Sequence, residues 1–226
     1  GMADQGCNAV RFFECLKVTG NNEGGSDMKK LLICIAFSVF YPGFTNAGAM
    51  QEDFYARLAK ISSDIRSLSG TFTQIKEIQS LDVKVVSEGN FSYEKNVEMR
   101  FDYLVPRKMS IVVDEKIVKI ITEEKTSTFP LRGQKNAMAE MAQIMNLCMK
   151  GQLKELRQTY VLEYEKTERG HRVTIRSLKD DPSNAFDRID LLFGLQNYGL
   201  RELVINERSG YRTTYVFSDV ITDVQR

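Results

Sequence analysis

The chain has 226 residues, of which 42% are hydrophobic and 27% are charged, a composition typical of a globular protein with one or two domains. Its 31 basic and 30 acidic side chains leave a formal net charge of +1. That balance argues against nucleic acid as a partner, because phosphate binding needs a basic surplus or a concentrated basic face.

The N-terminal segment predicts a cleavable secretory signal at residues 28–49. It has a basic start at Met28-Lys29-Lys30, an apolar run over residues 31–40 that is too short to span a bilayer, and small residues at Ala47-Gly48-Ala49. We interpret residues 1–27 as a misassigned leader or an extension. The predicted mature domain, residues 50–226, keeps one cysteine, Cys148, which cannot form an internal disulfide.

The mature part begins with a predicted helix over residues 51–68, whose apolar side chains recur at steps of three and four. A second helix is predicted over residues 134–150. The remaining pattern predicts about ten short strands, starting at residue 71 and then covering 81–93, 99–103, 109–113, 117–121, 160–164, 172–178, 186–193, 200–206 and 213–220. Short strands joined by tight turns favour antiparallel neighbours in one highly curved sheet, in a single domain.

Residues suited to catalysis or metal binding are scarce. The one histidine, His171, follows Arg169-Gly170 and is interpreted as an exposed turn residue without a partner. No nucleophile motif, phosphate loop or metal-ligand spacing accompanies it, and Cys148 is predicted to be an inert apolar residue of the second helix. We therefore expect neither an enzyme nor a cofactor.

Two apolar patterns leave two interpretations open. Met138, Met141, Met145 and Met149 share one face of the second helix, with Ile144 beside them. Flexible methionines either re-pack around varied ligands or fill an irregular core. The strands add aromatic residues of one parity, which would be core in a flat sandwich and would line a cavity in a strongly curved sheet. These residues are Phe72, Phe91, Tyr93, Phe101 and Tyr103.

Five segments of the chain, taken in order, carry a family resemblance. They are residues 68–74 (LSGTFTQ), 89–93 (GNFSY), 99–106 (MRFDYLVP), 111–116 (IVVDEK) and 213–220 (TTYVFSDV). In type and spacing they resemble the periplasmic outer-membrane lipoprotein carriers of the LolA family.

The resemblance implies an unclosed, strongly bent antiparallel barrel, mainly β, with helices as a lid over an apolar cavity. It also implies a location in the periplasm of a Gram-negative cell, and we expect a monomer because a carrier of one cargo needs no more. Such a carrier takes acylated lipoproteins from an inner-membrane exporter and delivers them to an outer-membrane acceptor. On this basis, the candidate ligand-cavity residues are Phe72, Phe91, Tyr93, Met99, Phe101, Tyr103, Ile111, Val113, Met138, Met141, Ile144 and Met145.

The chain departs from the family pattern at several positions. Lys95 stands where the resemblance places a lid-gating arginine, and Asn96 replaces the proline that usually follows. Because lysine lacks the planar five-donor guanidinium, we expect a weaker or absent clamp at this position. Met99, Phe101 and Glu115 also replace common family residues. Two alternative functions stay open: a binder of small hydrophobic molecules, and an adaptor that binds no ligand.

Overall fold

The computed structural model describes residues 46–78, 80–131, 137–178 and 185–224. This part of the chain contains two α-helices, α1 (Asn46–Asp64) and α2 (Ala137–Met149), and a 3₁₀ helix at Leu153–Gln158. Within it, no helix combines the length and the apolar character needed to cross a membrane. The predicted signal lies outside the described residues except for its last four, which begin α1.

Eleven strands complete the described structure. They are β1 (Ile65–Ile78), β2 (Val83–Glu94), β3 (Glu98–Val105), β4 (Met109–Val113), β5 (Ile117–Thr122), β6 (Thr126–Pro130), β7 (Tyr160–Thr167), β8 (Gly170–Ser177), β9 (Phe186–Phe193), β10 (Leu200–Glu207) and β11 (Tyr211–Val224). The short polar strand β6 was missed in the sequence, because Thr126-Ser127-Thr128 shows no apolar alternation.

The strands form one antiparallel sheet in the order β6-β5-β4-β3-β2-β1-β11-β10-β9-β8-β7. β6 and β7 remain edges, so the sheet is not closed. Side chains from distant strands, such as Phe101 of β3 and Leu191 of β9, belong to one buried cluster, so the sheet wraps around a single core. The predicted fold class, an unclosed and strongly curved antiparallel barrel with helices, is confirmed.

The predicted extension of the first helix to residue 68 is wrong, since β1 begins at Ile65. The register against β11 shifts between Ile65 and Ser67, which leaves Arg66 as an extra residue in β1. Such a bulge changes which face the following side chains take. Ile65 and Leu68 therefore line the same cavity although they are three residues apart in a strand, and their spacing imitates that of a helix.

The two helices pack on the concave face and close to each other. α1 buries Phe54, Tyr55 and Leu58, and α2 buries Ile144 and Met145 in the same core. Gly151, directly after α2, has a left-handed φ of 67°, and a Cβ at this position would lie 2.7 Å from the Cα of Ala59. The absence of a side chain at Gly151 thus allows the end of α2 to approach α1.

Candidate functional site

The structure gathers the predicted cavity residues in one place. Eleven of the twelve belong to the buried cluster between the sheet and the helices, and none of the eleven exposes more than 9% of its surface. The twelfth, Met138, lies in α2, but its side chain is outside the described part. Phe72 meets Phe101 and Tyr103 edge to face, with ring centroids 5.4 and 4.9 Å apart. The side chains of the protein itself therefore fill this interior, and ligand contact by these residues stays a prediction.

A cavity of about 340 Å³ lies at one rim of the barrel, under the C-terminal end of α1. Its apolar lining includes Ile61, Ile65, Leu68, Phe91, Met149, Leu200, Phe217 and Val220, and its polar lining includes Asp64, Asn197 and Arg201. We call this space the rim cavity. Its volume falls at the lower end of the range of roughly 300–1,000 Å³ that is typical of small-molecule sites.

Of the twelve candidate cavity residues, only Phe91 lines the rim cavity, and Met149 of the predicted methionine face lines it as well. Sequence reasoning missed the contributions of β1 and β11, although Leu68, Phe217 and Val220 lie within the segments that carry the family resemblance. The alternation pattern of β11 does not reveal Phe217 and Val220 as members of one face. Phe217 and Val220 are three residues apart, so strict alternation would place them on opposite faces.

A bulge at Asp219 explains why Phe217 and Val220 nevertheless lie on the same face of β11. Thr71 pairs with Ser218 but Ser69 pairs with Ile221, so β11 holds one more residue than β1 between these pairs. Asp219 takes up the extra length with a left-handed φ of 51°. After it, Val220, Thr222 and Val224 continue the face that Phe217 began, and all line the rim cavity. Bulges of this kind are common at the rims of barrels, where they redirect side chains.

Lys95 contacts the end of α1 above the rim cavity. Its Nζ donates a hydrogen bond of 2.6 Å to the backbone carbonyl of Ser63, in the last turn of the helix. This carbonyl belongs to the four that have no partner within the helix, and an ammonium at this end also interacts favourably with the helix dipole. A single hydrogen bond is therefore present at this position, which is compatible with the weaker clamp expected of a lysine but not with the absence of any contact. Its role in gating stays a prediction.

The interpretation of His171 as an exposed turn residue is also wrong, since only 5% of its surface is exposed. Its ring stacks on Phe54 of α1 and Tyr198, with centroids 5.0 and 4.8 Å away. Its Nε2 lies 3.3 Å from the Leu195 carbonyl and its Nδ1 lies 2.9 Å from the Tyr164 hydroxyl. Because a carbonyl only accepts, the neutral ring carries its proton on Nε2 and accepts from Tyr164.

His171 thus has a structural position. It joins α1 to residues 194–199, the loop between β9 and β10 whose Asn197, Tyr198 and Gly199 form one wall of the rim cavity. Burial lowers the pKa of His171, and the hydrogen bond with the Leu195 backbone opposes this effect. The imidazole is therefore held in its neutral form, stacked between rings rather than directed at a reacting atom.

A small group of polar atoms lies within the core. The Tyr103 and Tyr215 hydroxyls are 3.2 Å apart, and Gln74 Nε2 donates a 2.6 Å hydrogen bond to the Tyr215 hydroxyl. Burial raises the pKa of both tyrosines. These partners satisfy the polar tips of aromatic side chains whose rings belong to the apolar core.

The described residues contain no group of three or more His, Cys, Asp or Glu placed to hold a metal ion. Cys148 is buried in α2, and burial raises the pKa of its thiol. A thiol that stays protonated is a poor nucleophile. The chemistry available at the rim cavity is therefore that of apolar contact with a few polar groups at its mouth.

Three solved structures to which this chain is similar illustrate the comparisons with known proteins. A LolA superfamily protein from Nitrosomonas europaea is 9% identical, with 77% of this chain and 94% of that chain covered and a TM-score of 0.40. A DUF1329 family protein from Desulfovibrio piger is 9% identical, with coverages of 80% and 95% and a TM-score of 0.46. A chain of the MucA–MucB complex from Pseudomonas aeruginosa is 14% identical, with 77% of this chain and 57% of that chain covered and a TM-score of 0.43.

No curated protein matches the chain significantly. The family described as "Outer membrane lipoprotein carrier protein LolA" matches residues 63–225, which covers β1 to β11 and α2 but only the last two residues of α1. The resemblance inferred from the five segments is thereby confirmed, and the chain belongs to the LolA family.

Proposed function

We propose that this protein is a periplasmic carrier that shields the acyl chains of lipoproteins on their way to an outer membrane. The observation that carries the proposal is the apolar rim cavity, which lies under one end of α1 and borders the buried core. The family supports the cargo class, since its description names lipoprotein carriers. An inner-membrane exporter and an outer-membrane acceptor are the partners that this role requires, and a monomer suffices for one cargo.

The physical need for a carrier follows from the hydrophobic effect. Exposing an acyl chain to water costs about 0.8 kcal/mol for each CH₂, so a sixteen-carbon chain costs roughly 12 kcal/mol. A carrier must offset most of that free energy and still release its cargo. In this protein the closed interior, filled by its own side chains, competes with the ligand and lowers the net affinity.

The two ends of α1 are held differently. Near the N-terminal end, Glu52 pairs with Lys154 and Arg157 of the 3₁₀ helix, and Phe54 and Tyr55 are almost fully buried. The C-terminal turn lies over the rim cavity, and Lys95 contacts it through one exposed hydrogen bond. Exposed hydrogen bonds of this kind contribute little stability. We infer that an acyl chain enters at the rim, where the cavity already lies, and then lifts α1.

Lifting α1 would open the buried cluster to the ligand. Phe91 is shared by the rim cavity and this cluster, so the two spaces are contiguous. In the proposed open state, the eleven buried candidates line the enlarged cavity, and Met141 and Met145 adapt to the shape of the chain.

An adaptor without a ligand is the second candidate function, because the described interior is filled by its own side chains. One structural neighbour belongs to a complex of two proteins, MucA and MucB. In an adaptor the rim cavity would stay a minor surface feature, and partners would bind to the outside of the barrel.

Native mass spectrometry of the protein expressed in a periplasm separates the two functions. We expect a fraction of the protein to carry added mass that dissociates as lipid or as an acylated protein. A fluorescent acyl probe should also bind, and a triacylated lipopeptide should displace it better than a free fatty acid does. A bare mass together with no probe binding would support the adaptor, and displacement by fatty acid alone would support a general binder of small hydrophobic molecules.

A further inference from the structure

Strand β11 is longer than its neighbour β10, so that among the described residues part of β11 has a strand partner on one side only. β10 pairs with β11 only between Glu202–Asn206 and Val216–Arg212, whereas β1 pairs with β11 as far as Val224. Residues 218–224 therefore have a described strand on one side only, and we call their other side the free edge. In an antiparallel sheet, the backbone N–H and C=O groups of alternate residues point to opposite neighbouring strands. About half of residues 218–224 therefore direct these groups toward the free edge.

The free edge differs from the two outer edges of the sheet. β7 exposes Glu163, Glu165 and Lys166, and β6 ends in Pro130. Charged side chains, proline and bulges commonly keep edge strands from pairing with other chains. On residues 218–224 the bulge lies at Asp219, and the charged side chains, Asp219 and Asp223, contact Thr71 and Arg66 of the neighbouring β1. The residues after the bulge, 220–224, are thus the part of the free edge that is suited to pairing with another strand.

The free edge also borders the rim cavity. Val220, Thr222 and Val224 place their side chains in the lining, while Asn197 to Arg201 line the facing wall. A ligand in the rim cavity would therefore lie beside main-chain groups that no described strand pairs with. Val220 and Val224 are about half exposed, which puts this boundary at the mouth of the cavity.

We propose that the free edge binds, as an added β-strand, the extended peptide that follows the acylated residue of a cargo protein. This inference rests on the proposed function, since the acyl chain would occupy the rim cavity and bring the peptide to residues 218–224. Main-chain hydrogen bonds hold a peptide in an extended form with little dependence on its side chains. Cargo proteins with unrelated sequences would therefore share one binding mode.

Three matched probes test this binding mode on the whole 226-residue chain. The first is a palmitoylated octapeptide of alternating serine and threonine. The second is the same molecule with every second amide N-methylated, made in two versions that methylate either the odd or the even amides. The third is palmitoyl amide. We expect the first to bind about tenfold more tightly than the third, the gain from one or two net main-chain hydrogen bonds. At least one phase of N-methylation should remove that gain.

Amide hydrogen exchange locates the contact. The palmitoylated peptide should protect amides of residues 218–224 beyond the protection given by palmitoyl amide, while the amides of the outer edges in β6 and β7 stay unchanged. Equal affinity for all three probes would overturn the inference and leave acyl binding intact, whereas no binding by any probe would overturn the proposed function as well. Protection of residues 218–224 before any probe is added, together with a dimeric mass, would show a second copy on the edge and would also overturn it.

Discussion

Val220 and Ile221 are neighbours on β11 that face opposite sides of the strand. Val220 lines the rim cavity, and Ile221 does not, although both side chains are well exposed, at 46% and 73%. We expect Val220→Asp to weaken binding of an acyl probe at least about tenfold, because the ligand would have to desolvate a carboxylate. Ile221→Asp is the matched control and should bind the probe normally. Equal binding by both variants, measured by fluorescence titration, would remove the rim cavity from the proposal.

The buried candidates are less suitable for such a test. Phe101 and Met141 expose only 3% and 9% of their surfaces, so an aspartate at either position would place a carboxylate in the core. That substitution would unfold the domain rather than report on a ligand. The half-exposed lining of the rim cavity allows a charge to remain in water while it blocks the site.

His171 predicts a specific dependence of stability on pH. Its pKa in the fold lies below the ordinary value of 6.5, so the unfolded chain binds more protons once the pH falls below about 6.5. The contribution of His171 to the free energy of unfolding should therefore be constant above that pH and decrease as the pH falls toward the pKa that His171 has in the folded state. Lys166 also disfavours the imidazolium, whereas Asp53 favours it.

Because His171 is the only histidine in the chain, His171→Gln isolates its contribution. The variant should lose the decrease between pH of about 6.5 and about 5, where ordinary carboxylates have not yet been protonated. Urea unfolding at a series of pH values measures both proteins. The same slope in the variant would show that another group is responsible.

The bulged ribbon of β1 and β11 is the element that shapes the rim cavity. Gly70 lies opposite the bulge, and a Cβ there would lie 2.7 Å from the Ser218 carbonyl oxygen and 2.8 Å from Phe91 Cε1. We expect Gly70→Ala to lower the free energy of unfolding by about 1–3 kcal/mol, as overpacking does. Gly199→Ala, whose Cβ would meet its nearest atom at 3.6 Å, is the control and should be near neutral. Comparable losses in both variants by urea unfolding would contradict the role of the bulge.

Bulges also explain which inward-facing residues of the strands could be predicted from the sequence and which could not. Strands β2 and β3 alternate buried and more exposed side chains over most of their length, and inward residues such as Phe91 and Tyr93 were predicted because they keep one parity. Arg66 and Asp219 break the parity of β1 and β11. Alternation therefore predicted the core residues of these two strands, but it could not find a cavity built from residues on both sides of two bulges.

At the scale of the whole molecule, packing sets the size of ligand that the closed form accepts. The sequence predicted that the apolar faces of sheet and helices meet, but whether they touch or enclose space depends on the fit of side chains across distant strands. In the structure they touch, and about 340 Å³ remains at the rim. This volume is at the lower end of the range for small-molecule sites. On the proposed function, a short acyl chain would fit the closed form, whereas a long chain would require α1 to lift.

This difference makes Lys95 a test of the lid. Lys95→Met removes the hydrogen bond to the Ser63 carbonyl and keeps most of the apolar stem, so opening should become easier. We expect the variant to bind a palmitoyl amphiphile several-fold more tightly and an octanoyl amphiphile about as the parent does, measured by calorimetry. Lys84→Met, near the start of β2 and paired with Glu77, is the control and should change neither affinity. If Lys95→Met changed both chain lengths equally, the long chain would not need the lid to open, and the buried residues under α1 would be core alone.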